Sequence, residues 1–179
     1  HMIVDVNMTK EEAQQIIEEQ VMANKKDCAL MPDSTTEYDT CFTFFYQSTS
    51  YLKSGNMNEM LVGHGPVIID KQTGKVFETG SAYSEQRYVM AYEACGDPFA
   101  SPKNSVIVQG WLPNADKVTA TKFVKKVSTL SLSEAKKIID HALDDKSTTF
   151  DVLPEYDTSE VVKKLNKIGF RSKQLWSSK

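Results

Sequence analysis

A break at Gly96-Asp-Pro98-Phe-Ala-Ser-Pro102-Lys-Asn104 divides this chain, because a glycine and two prolines so placed interrupt both helical and strand patterns. Net charge changes sign at the same place. Residues 1–100 hold 7 Lys and Arg against 15 Asp and Glu, a net of −8, whereas residues 101–179 hold 14 against 9, a net of +5. Two unrelated signals thus predict two lobes, 1–96 and 105–179, with a linker at 97–104. Solvated faces, or lobes that attract one another, would give the same charge split. Independent lobes and one continuous body both stay open. With 179 residues, 40% of them hydrophobic and 25% charged, the chain has the balance of a globular protein.

In the first lobe Thr9-Lys-Glu-Glu12 reads as a capping box, followed at helical spacing by Ala13, Ile16, Ile17 and Val21. A helix of about four turns is expected there. Residues 41–46, Cys-Phe-Thr-Phe-Phe-Tyr, are aromatic and β-branched and predict a strand with one strongly apolar face. A short helical turn is expected near 58–61. Gly63-His-Gly-Pro66 reads as a turn into the strand 67–69, and 70–74 as a tight connection to its partner strand 75–79. Ser84 opens a helix with Tyr88, Ala91, Tyr92 and Cys95 on one face, and Gly96 closes it. The expected fold class is therefore α+β, an N-terminal helix with a small antiparallel sheet.

These residues carry a resemblance. Phe42-Thr-Phe-Phe-Tyr-Gln-Ser-Thr-Ser-Tyr51-Leu-Lys-Ser-Gly55, Met60-Leu-Val-Gly-His-Gly-Pro66-Val-Ile-Ile-Asp70, Thr73-Gly-Lys-Val-Phe77 and Gly80-Ser-Ala82 follow in one order over residues 10–95. Together they resemble the YrhB-like immunity protein family 35, in which His64 here stands where other members often have Asn. The resemblance implies an inhibitor of a cognate polymorphic toxin, of the kind used in competition between bacteria, without specifying the toxin's reaction.

The second lobe reads βααβαβ. A strand is expected at 105–112 and a helix from Asp116 with Ala120, Phe123, Val124 and Val127 inward. Ser131 and Glu134 form a second capping box ahead of Ala135, Ile138, Ile139 and Ala142, and a strand follows at 148–153. A third helix starts at Asp157, buries Val161, Leu165 and Ile168 and stops at Gly169, before a last strand at 171–176. With Leu130-Ser-Leu-Ser-Glu-Ala-Lys-Lys-Ile-Ile-Asp140 and Val161-Val-Lys-Lys-Leu-Asn-Lys-Ile-Gly-Phe170, this order is similar to the C-terminal domain of the bacterial ribosomal stalk protein. Ser131 replaces that family's glycine, and its acidic hinge and dimerisation segment are lacking. The resemblance implies a small docking domain and not a stalk protein.

Catalytic chemistry is sparse. Apart from His1, which with Met2 reads as a cloning remnant, only His64 and His141 could act as bases near neutral pH. A Cys41/His64/Asp70 arrangement can be imagined, yet none of the three sits in a nucleophile motif. Cys28, Cys41 and Cys95 lack the spacing of a disulfide framework or a zinc site and are expected as buried free thiols. No cofactor or metal is expected, and no enzyme. No apolar run nears the ~20 residues of a membrane span, and no secretion signal is visible, so a cytoplasmic protein without a membrane partner is expected. The pairs Lys125-Lys126, Lys136-Lys137 and Lys163-Lys164 read as solvated faces; nucleic acid is not an expected partner.

The expected function is therefore capture of a cognate toxin acting in the cytoplasm, with occlusion of its active site. The acidic first lobe suits a basic, nucleic-acid-acting toxin. Glu37, Asp39, Tyr46, Tyr51, Glu59, Glu78 and Glu85 are the expected contact residues. A chaperone-like stress protein and a translation-associated adaptor are the alternatives, separated by whether partners are single and tight, many and weak, or ribosomal.

Overall fold

The first helix forms where its cap does. In the computed structural model of the chain, which describes residues 7–178, the Thr9 hydroxyl accepts the Glu12 amide at 3.2 Å. The Glu12 carboxylate accepts the Thr9 amide at 3.3 Å. Helix α1 (Lys10–Gln20) follows, a turn shorter than expected because a 3-10 turn at Met22–Asn24 takes over. His1 and Met2 lie outside the described residues. The chain divides into two units, His1–Phe99 and Ala100–Lys179.

The first unit continues with β1 (Cys28–Leu30), β2 (Thr36–Glu37), β3 (Cys41–Phe44), β4 (Tyr46–Ser48), α2 (Thr49–Ser54), β5 (His64–Asp70), β6 (Val76–Gly80) and α3 (Glu85–Cys95). Its main sheet is antiparallel in the order β2-β3-β5-β6, and β1 pairs with β4 apart from it. The single strand expected at 41–46 is thus two strands in two sheets. The change happens at Phe45, whose carbonyl leaves the ladder to accept the Met31 amide at 2.8 Å.

Strand alternation feeds two cores. Phe42, Phe44, Val67 and Ile69 pack on Ala13 and Ile17 of α1. Cys41 and Ile68 pack on Tyr88, Val89 and Tyr92 of α3. Both faces of β3 are therefore covered, not one, and all four of its residues are buried. Thr43 faces α3 and is satisfied by donating its hydroxyl to Glu85 at 2.6 Å. Cys95, expected inward, is exposed, and Val89 takes its place in the core; Cys28 is half-buried, so only Cys41 is a buried thiol.

The second unit holds β7 (Ser101–Trp111), α4 (Lys117–Val127), α5 (Leu132–Leu143), β8 (Thr148–Asp151), α6 (Thr158–Ile168) and β9 (Phe170–Ser177), in the expected βααβαβ order. The sheet is antiparallel, β8-β7-β9. Residues 101–104, expected as linker, are strand. Pro102 is accommodated because the β7–β9 register shifts between Pro102 and Val106. Ile139, Leu165, Phe170 and their neighbours form one core, each large side chain contributing roughly 1.5–3 kcal/mol by leaving water. Gly169 ends α6 at φ +107°, and a Cβ there would lie 2.5 Å from Ala115 Cα, so this position excludes side chains twice over.

Candidate partner-binding surface

At one end of β5 the chain builds a cleft. Beside it, a Cβ on Gly65 would lie 1.9 Å from the Gly80 carbonyl oxygen, so only glycine lets β5 approach β6 so closely. His64 consequently lies in the strand opposite Gly80, with a bulge before Val67, and not in the expected turn. Its ring stacks on Tyr46, centroids 4.5 Å apart. The Tyr46 carbonyl can only accept, so His64 Nε2 carries the proton it donates across 2.8 Å. His64 Nδ1 is buried without a hydrogen-bond partner. On the Tyr46 ring lies Lys25, its Nζ 5.2 Å from the centroid and 3.2 Å from Glu78. The Glu78 bond raises the Lys25 pKa against the opposing effect of burial. With Cys28, Leu61 and Val62, the side chains of Lys25, Tyr46 and His64 line a cleft of about 520 Å³.

A loop stands over this cleft, and it is tied down. Ser48 caps α2 by accepting the Tyr51 amide at 3.0 Å. Gln47, 7% exposed, accepts the Leu61 amide at 2.7 Å. It also accepts the Ser48 amide at 2.8 Å and donates to the Leu61 carbonyl at 3.0 Å. The Ser48 hydroxyl donates to the Glu59 carbonyl at 2.6 Å, and the Ser54 hydroxyl to the Glu59 carboxylate. A 3-10 turn, Met57–Glu59, sits slightly ahead of the expected 58–61. The end of α2 and this loop nonetheless present Leu52, Met57, Leu61 and Val62 to solvent, Val62 at 78%.

The seven expected contact residues divide. Tyr46 lines the cleft, Glu78 pairs with the Lys25 that borders it, Tyr51 lies in α2, and Glu59 lies in the loop that follows. Tyr46 is 6% exposed, so it forms the cleft floor and does not stand proud of it. Glu37 and Asp39 lie toward the other end of β5, where exposed Glu37 pairs at 2.6 Å with buried Lys71. Glu85 is half-buried on α3 and accepts both Thr43 and, at 2.9 Å, Tyr38. Burial, then that bond, push the Tyr38 hydroxyl up to about 12. Lys25, His64, Leu61 and Val62 were not among the expected contacts, and only the Ser48 and Gly55 helix bounds signalled the loop.

Cys41, His64 and Asp70 are not brought together. Cys41 pairs with Asp70 across β3 and β5, while His64 is at the far end of β5. Burial pushes the Cys41 thiol up to about 11, away from the thiolate a nucleophile needs. Asp70 accepts the Tyr92 hydroxyl and the amides of Gln72 and Thr73. Among the described residues no group of three or more His, Cys, Asp or Glu could hold a metal ion, and no helix is long and apolar enough to cross a membrane.

The second unit has a groove of its own. Between α4 and α6, Lys126, Lys163, Lys164 and Lys167 surround a floor of Phe123, Tyr156 and Val161, enclosing about 500 Å³. Lys164 Nζ covers the Phe123 ring at 4.7 Å, and Lys163 pairs with Glu160 at 3.2 Å. The lysine pairs that look scattered in sequence are in part gathered by the fold.

Residues 11–91 match the family Immunity protein 35, in keeping with the resemblance carried by residues 42–82. The match ends within α3, and the second unit lies beyond it. No curated protein and no solved structure matches the chain.

Proposed function

We propose, from the match of residues 11–91 to Immunity protein 35, that this protein binds a cognate toxin in the cytoplasm and neutralises it by covering its active site, without catalysis of its own. The match carries this reading. Two physical features support it. The first unit carries a net charge of −8, which would speed capture of a basic, nucleic-acid-acting toxin. Its cleft and loop are held in place before binding, which lowers the ordering cost of a tight complex.

The test is capture by the tagged protein from lysate of its native host, at moderate and at high salt, with the bound proteins identified. One stoichiometric toxin-like partner that survives high salt is the expected result. A spread of unrelated clients would instead indicate a chaperone.

A second reading, an adaptor working through the second unit, is favoured by the groove between α4 and α6. Its lysines offer carboxylate-bearing protein segments a cationic rim over an apolar floor. Ribosomal material that is lost at high salt, and lost again in Lys126→Glu/Lys167→Glu, would be its signature.

A further inference from the structure

Four of the large apolar side chains that the molecule exposes fall within eleven residues, from α2 through the loop that follows it: Leu52 at 38%, Met57 at 67%, Leu61 at 37% and Val62 at 78%. Exposed apolar groups are ordinary when scattered; gathered on one segment they mark a contact surface. This loop is not exposed for want of structure. Gln47, buried beneath it, spends its side-chain amide on both backbone groups of Leu61, and Ser48 and Ser54 hold Glu59 from either side. A buried amide with three hydrogen bonds to the backbone fixes the loop in one conformation. The apolar side chains are therefore presented on a rigid platform, next to a cleft floored by Tyr46 and His64 and rimmed by Lys25, Lys26 and Asp27.

We infer that residues 52–62 and the adjoining cleft are the docking face for the toxin, and that Val62 and Met57 are its anchors. This rests on the function proposed above. The fitting partner is a protein surface with an apolar prominence of leucine or phenylalanine size, flanked by charges of both signs that answer Lys25, Lys26 and Asp27 at the cleft rim. The prominence enters the cleft beside Val62, while the −8 charge of the first unit steers the partner from a distance. Apolar anchors at the centre with charges at the rim are the arrangement in which a few side chains carry most of the affinity. The acidic residues Glu37 and Asp39, toward the other end of β5, lie outside this face.

Isothermal titration of the full chain into the purified, catalytically silenced toxin domain identified by the capture experiment above is the test. Val62→Glu and Met57→Glu are each expected to weaken binding at least about thirtyfold. Glu37→Gln should stay within about threefold, as expected of a residue outside the contact. Val62 and Met57 are exposed, so both variants should keep the wild-type urea midpoint, which is measured alongside. Tight wild-type binding that Val62→Glu and Met57→Glu leave unchanged would overturn the docking face while leaving the immunity function intact. No binding by the wild-type chain would overturn both. A Gln47→Ala variant supplies an independent arm: with the anchors present but the loop released, affinity should fall, and wild-type affinity in that variant would refute the role of the rigid platform.

Discussion

Asp70 shows how one side chain closes a hairpin and joins it to a helix. Its carboxylate accepts the amides of Gln72 and Thr73 at 2.8 Å each, forming the turn, and accepts the hydroxyl of Tyr92 from α3. Burial pushes this carboxyl up, but the hydrogen bonds from Tyr92, Thr73 and Gln72 outweigh it and hold its pKa below the ordinary value. The folded pKa therefore lies below the unfolded one. The group's stabilising contribution is complete above the unfolded value, near pH 4, and disappears as pH falls through the folded value. Urea midpoints of the wild type should accordingly fall more steeply than those of Asp70→Asn between about pH 4.5 and 2.5. Parallel slopes would show that Asp70 is not the group responsible.

At the scale of elements, what was legible in the sequence was what is local. The capping boxes at Thr9 and Ser131, the Ser84 and Asp157 caps and the stops at Gly96 and Gly169 all act within a few residues, and all are present. The strands β1 and β2 are three and two residues long, too short to show a period of their own, and they exist because β4 and β3 offer partners. The switch of sheet at Phe45 likewise depends on Met31, fourteen residues earlier, and no window around Phe45 contains it. The cap at Ser131 also offers a measurable case. Its hydroxyl accepts the Glu134 amide at 3.1 Å. Ser131→Ala should lower the unfolding free energy by about 1 kcal/mol and Ser131→Gly by a few tenths, measured by urea titration. Equal losses would show that the hydroxyl contributes nothing beyond backbone conformation.

For the whole molecule, the charge reversal and the proline-containing break pointed to a division, and the chain divides between Phe99 and Ala100. The surface was harder to read. Tyr46 and His64 are eighteen residues apart in sequence, on β4 and β5, and only the fold brings their rings together. Nothing local in the sequence announces that Gln47 bonds both backbone groups of Leu61, or that Leu61 and Val62 are exposed. The acidic residues, conversely, were easy to see and hard to rank, since Glu85 serves Thr43 and Tyr38 inside the first unit while Glu78 borders the cleft. The central claim is neutralisation, and it is tested most directly in growing cells. The active toxin domain would be expressed under control, with the wild-type chain or with Val62→Glu, and growth followed. Full rescue by the wild type and lost rescue by an equally abundant Val62→Glu chain is the predicted result. Continued arrest in the presence of abundant wild-type chain would contradict it.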